Sequence, residues 1–465
     1  MSPQKSAIVI GVGITGLAAA LRLHEKGFAV TLLEAAPRIG GAINTVTRDG
    51  FTMETGPDSF ITQKPAALAL IKRLGLEGEV TGTNPEFRNS YILRGGKLRT
   101  IPEGFFLLAP ARWLPFMLSP LLSIPGKMRA GMDLILPRGP VVADESLASF
   151  VTRRLGHEVF DWLAQPLVSG IYTADASTLS LRATFPAFLE LERKYRSIIL
   201  GLRLSQTRAT SAASGARYSL FATMRNGLTG LVEAIASRLP TGAIRCNSSV
   251  MGIRRTGTNW TIALRNGDEL SADAVIVAVP APAASTLMSE TDLELSKLLG
   301  KIPYASTATV TVGFNRSQVA HHLRGFGFVV PHAEGRRLLA CTFSNVKFPV
   351  RATPDRVLLR MFIGGATDPE VARMEPDAIA RMALKDLREI LGITGEPIFT
   401  ETARYPGAMP QYLVGHLTTV SGIREREKIL PGLALAGNAY EGLGLPDCIK
   451  SGEEAAERLA GENSR

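Results

Sequence analysis

The run Gly11-Val12-Gly13-Ile14-Thr15-Gly16 constrains this chain more than any other feature, because of what flanks it. Ala7-Ile8-Val9-Ile10 before it is short, apolar and β-branched, the pattern of a strand buried on both faces. Leu17 to Lys26 after it carries helix formers with apolar periodicity. The first glycine permits a tight turn, the second lets backbone approach a pyrophosphate, and the third lets helix pack closely on strand. The anion then sits on the helix N-terminus, where free N–H groups and the macrodipole favour negative charge. A second strand, Ala29-Val30-Thr31-Leu32-Leu33, ends at Glu34, 18 residues past Gly16, close to the spacing expected for an acid that holds a ribose hydroxyl. Strand, fingerprint, helix, strand and acid in this order predict a dinucleotide-binding unit with Gly11, Gly13, Thr15, Gly16, Glu34 and Ala35 at the ligand.

Length and composition bound the rest. A chain of 465 residues, 45% hydrophobic and 20% charged, is globular and long enough for two or three domains. Lys and Arg exceed Asp and Glu by 52 to 42, a balance that fits an anionic lipid or an acidic small molecule as well as nucleic acid. No basic run of the nucleic-acid kind occurs, so no nucleic-acid partner is expected. Cys246, Cys341 and Cys448 are scattered, with no disulfide framework or zinc spacing, and no metal site is expected. Met1 to Ala7 lacks the charged-then-apolar pattern of a leader, and a cytoplasmic location is expected.

After the acid come Ala35-Ala36-Pro37-Arg38-Ile39-Gly40-Gly41 and then Glu54-Thr55-Gly56-Pro57-Asp58-Ser59. Gly40, Gly41 and Gly56 would let backbone amides face a second phosphate or a flavin ring, and Arg38 would pair with phosphate. An NAD domain has no need of this second glycine pair, so FAD is the expected cofactor. Ile244 to Val250 resembles the strand of FAD-binding proteins whose backbone, here at Val250, meets the adenine, and Ala274 to Val279 resembles the strand that returns to the nucleotide-binding sheet. Gly432 to Asn438 is a strand ending in a polar turn, and a helix opens at Cys448 to Gly452 after Gly442, Gly444, Pro446 and Asp447. The helix N-terminus would favour charge that collects on the flavin on reduction, which adds Gly437, Asn438, Asp447 and Ile449 to the cofactor set, beside Pro57, Asp58 and Ser59 of the earlier extension.

This extended pattern resembles the flavoprotein superfamily of amine oxidases, phytoene desaturases and protoporphyrinogen oxidases. Four further stretches resemble the protoporphyrinogen oxidase family in particular: residues 164–197, Phe221 to Leu228, Gly325 to Pro331, and Ala408 to His416. The likeness spans nearly the whole chain. It implies oxygen-dependent six-electron oxidation of protoporphyrinogen to protoporphyrin through FAD, with Gly170, Phe326, Gly327, Val329 and Phe362 lining the macrocycle pocket. An arginine that pairs with a propionate is expected just before Tyr91-Ile92-Leu93. Here the arginine is displaced by about two residues, and Arg88 is the candidate. No HExxH, GxSxG or metal cluster competes, and no dedicated base is needed, since the site chiefly positions the ring. His416 and His321-His322 read as structural or solvated histidines.

The same resemblance implies an α/β fold with a discontinuous FAD-binding, Rossmann-like domain built from both chain ends (1–63, 225–285 and 428–465). An inserted mixed-sheet substrate domain takes 64–100, 196–224 and 286–427, and an inserted helical, membrane-binding domain takes 101–195. Residues 104–125, GFFLLAPARWLPFMLSPLLSIP, are as apolar as a spanning segment but carry Pro110, Pro115, Pro120 and Pro125. Proline breaks such a helix, and unsatisfied backbone is costly in lipid. Two readings therefore stay open: core packing, or a surface dipping into one leaflet with Lys127, Arg129 and Arg138 near headgroups. The second would place the protein peripherally on the cytoplasmic face of the inner membrane. A homodimer is left open. Competing readings are a coproporphyrinogen-oxidising member of the same family, an amine oxidase, and a non-catalytic relative like the dissociation inhibitors of small GTPases.

Overall fold

A computed structural model describes residues 4–140, 142–212 and 220–462. The fold is α/β, and its first unit is a five-stranded parallel sheet in the order Ile244–Arg245, Ala29–Leu33, Ser6–Ile10, Ala274–Val277, Leu433–Leu435. Side chains alternate across a strand, and the alternation here has two buried destinations. Ala7 and Val9 join a core with the helices, while Ile8 and Ile10 join another with Trp260 and Ile262 of an antiparallel meander. The meander is Val250–Thr256, Asn259–Leu264 and Glu269–Ala272. The fingerprint helix, Ile14–Glu25, and the C-terminal helix, Leu445–Glu462, lie side by side. Gly452 allows this contact, since a Cβ there would meet the Thr15 carbonyl oxygen at 2.2 Å. The single strand expected over Ile244 to Val250 is instead two, interrupted at 246–249, where Asn247 takes a left-handed φ of 53° and turns the chain.

The second unit is a seven-stranded sheet in the order Phe399–Pro410, Tyr304–Asn315, Arg356–Gly364, Leu338–Phe343, Gly327–Val329, Tyr91–Arg94, Lys97–Thr100. All its pairings are antiparallel except that of Gly327–Val329 with Tyr91–Arg94. Val310, Leu359, Met361 and Phe328 pack on one face against the helix Pro376–Leu391. Thr309, Thr311, Arg360, Phe362 and Val329 alternate with them and so occupy the other face.

The third unit is helical. Its core gathers Phe116, Leu121, Phe150, Leu163 and Val168 with Ile198, Ile199 and Leu202. The last three lie past the boundary expected at residue 195: the helix Ile198–Ala212 starts on the helical core, because Ile198, Ile199 and Leu202 find their apolar partners there. Arg154, 1% exposed, ties the unit together. Its Nε donates to Asp133 Oδ1 (2.6 Å) and its Nη2 to the carbonyls of Asp133 (2.8 Å) and Arg196 (2.7 Å). Residues 104–125 form two short strands and the helix Trp113–Leu118, not one long helix, as the prolines require.

Candidate active site

The fingerprint forms a cradle with room for a ligand. Gly11 adopts a φ of +96°, and a Cβ there would strike the Ala278 carbonyl oxygen at 2.7 Å. A Cβ on Gly16 would fall 1.9 Å from the Gly11 carbonyl oxygen, which is the close packing of helix on strand. Gly13 differs, since a Cβ there meets no atom within 4 Å. Its glycine is therefore not demanded by the protein's own packing, and the space fits a phosphate drawn up to the backbone. The Gly40 N–H donates to the Val12 carbonyl (2.8 Å), bringing the Gly40-Gly41 turn against the fingerprint. Glu34 stands at the end of its strand and accepts from the N–H groups of Val12 (2.8 Å) and Ala36 (2.9 Å). Ser248 N–H donates to the Glu34 carbonyl (2.8 Å), so the loop leading to Val250 passes beside the acid and the exposed Ala35.

Arg38 does not point away as a free phosphate ligand. It donates to the carbonyls of Ile43 (3.0 Å) and Gly41 (2.6 Å), and so shapes the glycine turn. The Ile449 side chain is fully buried in the core of the parallel sheet, which leaves its main chain, near the start of the helix Leu445–Glu462, as the part that can face a cofactor. Asp447 accepts from Lys64 (2.7 Å), and its charge helps to push the Tyr172 hydroxyl up to about 12, after the larger effect of burial. Gly437 has a φ of 137° and open space at its Cβ position. The neighbouring Asn438 carbonyl accepts from Tyr412 Oη.

The loop from Glu54 to Ser59 lies against the open face of the large sheet. Thr309 Oγ1 donates to the Thr55 carbonyl (3.1 Å), and Arg360 Nη2 donates to the same carbonyl (2.8 Å) and to that of Gly56. Gly56 has no space for a side chain, since a Cβ would lie 1.7 Å from the Ala42 carbonyl oxygen. Pro57 follows, half-buried. Asp58 pairs with Lys347 (3.2 Å) and accepts from Ser59 Oγ (2.6 Å). Burial alone would raise the Asp58 carboxyl, but the Lys347 and Arg360 charges and these hydrogen bonds bring it down to about 2.

Beyond this loop the sheet face continues through Phe362, half-buried beneath the Arg360 guanidinium at 4.9 Å, to Ala340 and Val329. The helix Gln165–Tyr172 covers the far side, where a Cβ on Gly170 would meet Val329 Cγ1 at 3.6 Å. A π-helical turn, Phe160–Ala164, precedes it, a feature frequent at functional sites. Gly170, Val329 and Phe362 are thus brought together. Gly327 sits beside them, and its own strand needs a glycine there, since a Cβ would strike the Cys341 carbonyl oxygen of the next strand at 2.0 Å. Phe326 N–H donates to the Asn89 carbonyl (2.8 Å), which ties the loop carrying the exposed Arg88 beside the half-buried Phe326. Lys347, Arg351, Arg360 and Tyr412 were not singled out in the sequence. Only the strand register could have found Arg360, through its place two residues before Phe362.

A cradle of this form, on a sheet built from both ends of the chain, defines a dinucleotide-binding oxidoreductase. Residues 14–460 match the family described as flavin containing amine oxidoreductases; the chain belongs to it and is an FAD-dependent oxidase. It is 38% identical over 460 residues to coproporphyrinogen III oxidase of Bacillus subtilis (strain 168), covering 97% of both chains. It is 31% identical to the chloroplastic protoporphyrinogen oxidase of Nicotiana tabacum, over 99% of this chain and 86% of that one. A crystal structure from Exiguobacterium sp. 255-15, assigned as a protoporphyrinogen oxidase, superposes with a TM-score of 0.89 at 31% identity, covering 99% of this chain and 100% of that one.

Proposed function

We propose that this protein oxidises coproporphyrinogen III to coproporphyrin III, the six electrons passing in pairs to oxygen, which leaves as hydrogen peroxide. The observation that carries this reading is the 38% identity to the Bacillus subtilis coproporphyrinogen III oxidase along 97% of both chains, against 31% to the plant protoporphyrinogen oxidase. It reverses the order of the sequence expectation, which put protoporphyrinogen first. FAD supplies the two-electron acceptor, held by the fingerprint, Glu34 and the Gly40-Gly41 turn. The chain's own residues hold the macrocycle: Phe362 beneath it, with Val329 and the Gly170 helix as an apolar wall that excludes water and fixes the reacting carbon. Arg88, at the rim beside Phe326, takes one propionate as a charge-assisted hydrogen bond.

The 31% identity to the plant enzyme keeps protoporphyrinogen as the second reading. Anaerobic flavin bleaching with the two porphyrinogens side by side separates them. Faster bleaching by coproporphyrinogen supports the proposal, and faster bleaching by protoporphyrinogen overturns it.

The helical unit is proposed to rest on a membrane surface. Leu118 (76%), Ile124 (73%), Ile135 (71%) and Leu114 (69%) stand exposed on one short stretch of chain, with Lys127 and Arg138 interspersed. That is more apolar side chain than solvated surface needs. Arg129, expected among the headgroup ligands, is instead committed to the carbonyls of Thr152, Arg153 and Arg154, where it caps the helix Leu147–Leu155. No helix among the described residues is long and apolar enough to cross a membrane.

A further inference from the structure

Three cations and two carboxylates meet where the large sheet abuts the Glu54–Ser59 loop. Arg351, 3% exposed, pairs with Glu54 (3.1 Å) and donates to Thr223 Oγ1 (2.7 Å), while its Nη1 has no acceptor in the protein. Arg360, 4% exposed, spends Nη2 on two loop carbonyls and leaves Nε without an acceptor. Lys347, 13% exposed, pairs with Asp58. Among the described residues no other carboxylate pairs with these three cations.

Buried charge is expensive, and a cluster that served only as a staple would gain by being neutral. This one is not. Three positive groups face two negative ones, and burial pushes the Glu54 carboxyl toward its neutral form, which Arg351 opposes only in part. Burial lowers Arg360 as well, but a guanidinium starts so high that it keeps its charge. At least one positive charge is left in excess in a region of low dielectric, where Coulomb energies are large. The strand register puts Arg360 there. It is paired across the sheet with Thr311 and Thr342, on the same face as Phe362 and directly against the Thr55 and Gly56 carbonyls.

We propose that Lys347, Arg351 and Arg360 form a positive electrostatic platform beneath the Glu54–Ser59 loop that raises the reduction potential of the bound flavin by favouring its negatively charged reduced form. The inference rests on the sequence assignment of Gly56 to Ser59 to the flavin, and not on which porphyrinogen is oxidised. Lys347, Arg351 and Arg360 are then positioning and potential-setting residues for the cofactor, and Asp58 is the opposing charge that moderates them.

The test uses the purified holoprotein, its flavin content confirmed, equilibrated anaerobically with a reference dye of known potential. Arg360→Gln and Lys347→Gln should each shift the oxidised-to-reduced flavin ratio about tenfold toward oxidised, ~30 mV for a two-electron couple. Asp58→Asn should shift it the other way. Arg360→Lys, which keeps the charge but loses the two-carbonyl grip, should stay within about twofold of the parent, a change of under ~10 mV. Equal shifts in Arg360→Gln and Arg360→Lys would mean that contact rather than charge matters, and would overturn the proposal. So would shifts of the same sign in Lys347→Gln and Asp58→Asn, or no shift in flavin-replete variants. If Arg360→Gln does not fold, the opposed pair at Lys347 and Asp58 decides alone.

Discussion

The ring of Tyr412 lies flat on that of His416, with centroids 4.0 Å apart and planes 12° from parallel. Tyr412 Oη donates to the Asn438 carbonyl (2.7 Å) and accepts from the Gly442 N–H (2.8 Å), and His416 Nε2 meets the Tyr440 carbonyl at 3.1 Å. Two stacked side chains from the segment that follows the strand Phe399–Pro410 therefore grip the turn after the last strand of the parallel sheet. The aromatic contact orients both rings, and the three hydrogen bonds use them as a clamp on residues 438–442.

This clamp gives stability a pH dependence. Burial pushes His416 below its ordinary value of 6.5, ahead of the smaller opposing effects of the Tyr440 carbonyl and Asp144. The unfolded chain then binds more protons than the folded one once the pH drops through 6.5, so stability falls in that direction. His321, depressed by burial and by His322 and Arg316, adds to the slope. Thermal melts between pH 7.5 and 5, as about 0.5-unit steps around the reference value, should show Tm falling with pH and a shallower fall in His416→Gln. An unchanged slope in that variant would remove His416 from the account.

The second and third glycines of the fingerprint should fail in different ways. Gly13→Ala places its methyl where no protein atom lies within 4 Å, so the apoprotein should melt close to the parent while FAD binding is weakened. Gly16→Ala drives a methyl into the Gly11 carbonyl, which should cost about 1–3 kcal/mol of stability or more. Flavin absorbance per chain and the melting curve of the apoprotein read the two effects separately.

Arg154 is expected to hold the helical unit together. It and Asp133 are 1% and 0% exposed, and Asp133 also accepts from Ser197 Oγ (2.5 Å) and the Ile199 N–H (3.0 Å). Arg154→Ala strands a buried carboxylate, which should cost about 3–5 kcal/mol. Limited proteolysis should then cut first within residues 133–212, and cutting elsewhere first would contradict the assignment.

Membrane association should depend on the exposed apolar stretch. Leu118→Glu with Ile124→Glu places two charges where lipid would lie, and should abolish co-sedimentation with anionic vesicles without altering the melting temperature, since both side chains are exposed. Parent protein that stays in the supernatant would end the membrane proposal.

Substrate contacts separate into orientation and charge. Arg88→Ala should raise the Michaelis constant by about 10- to 150-fold, the equivalent of roughly 1.5–3 kcal/mol for a charge-assisted hydrogen bond, with a smaller effect on turnover. Phe362→Ala should instead lower turnover, by loosening the ring over the sheet. Steady-state kinetics with both porphyrinogens checks the two patterns, and a kinetically silent Arg88→Ala would relocate the propionate contact.

What the sequence alone determined was local. The order of strand, glycines, helix and acid from Ala7 to Glu34 dictated the cradle, because each requirement there is met by neighbours along the chain. The prolines of 104–125 likewise forbade a spanning helix by themselves. Sequence could not say that Arg38 would turn onto its own loop, since that depends on how the glycine turn folds. Nor could it say that Ile449 would be sealed in the core or that Ile198 would join the helical unit, because each depends on partners supplied by distant segments. The same holds for Arg360, an ordinary charged residue in an apolar strand until register sets it beside Thr311 and Thr342 and under the Thr55 carbonyl, 305 residues away in sequence. Burial and strand register decide which charges meet, and those are properties of the folded chain.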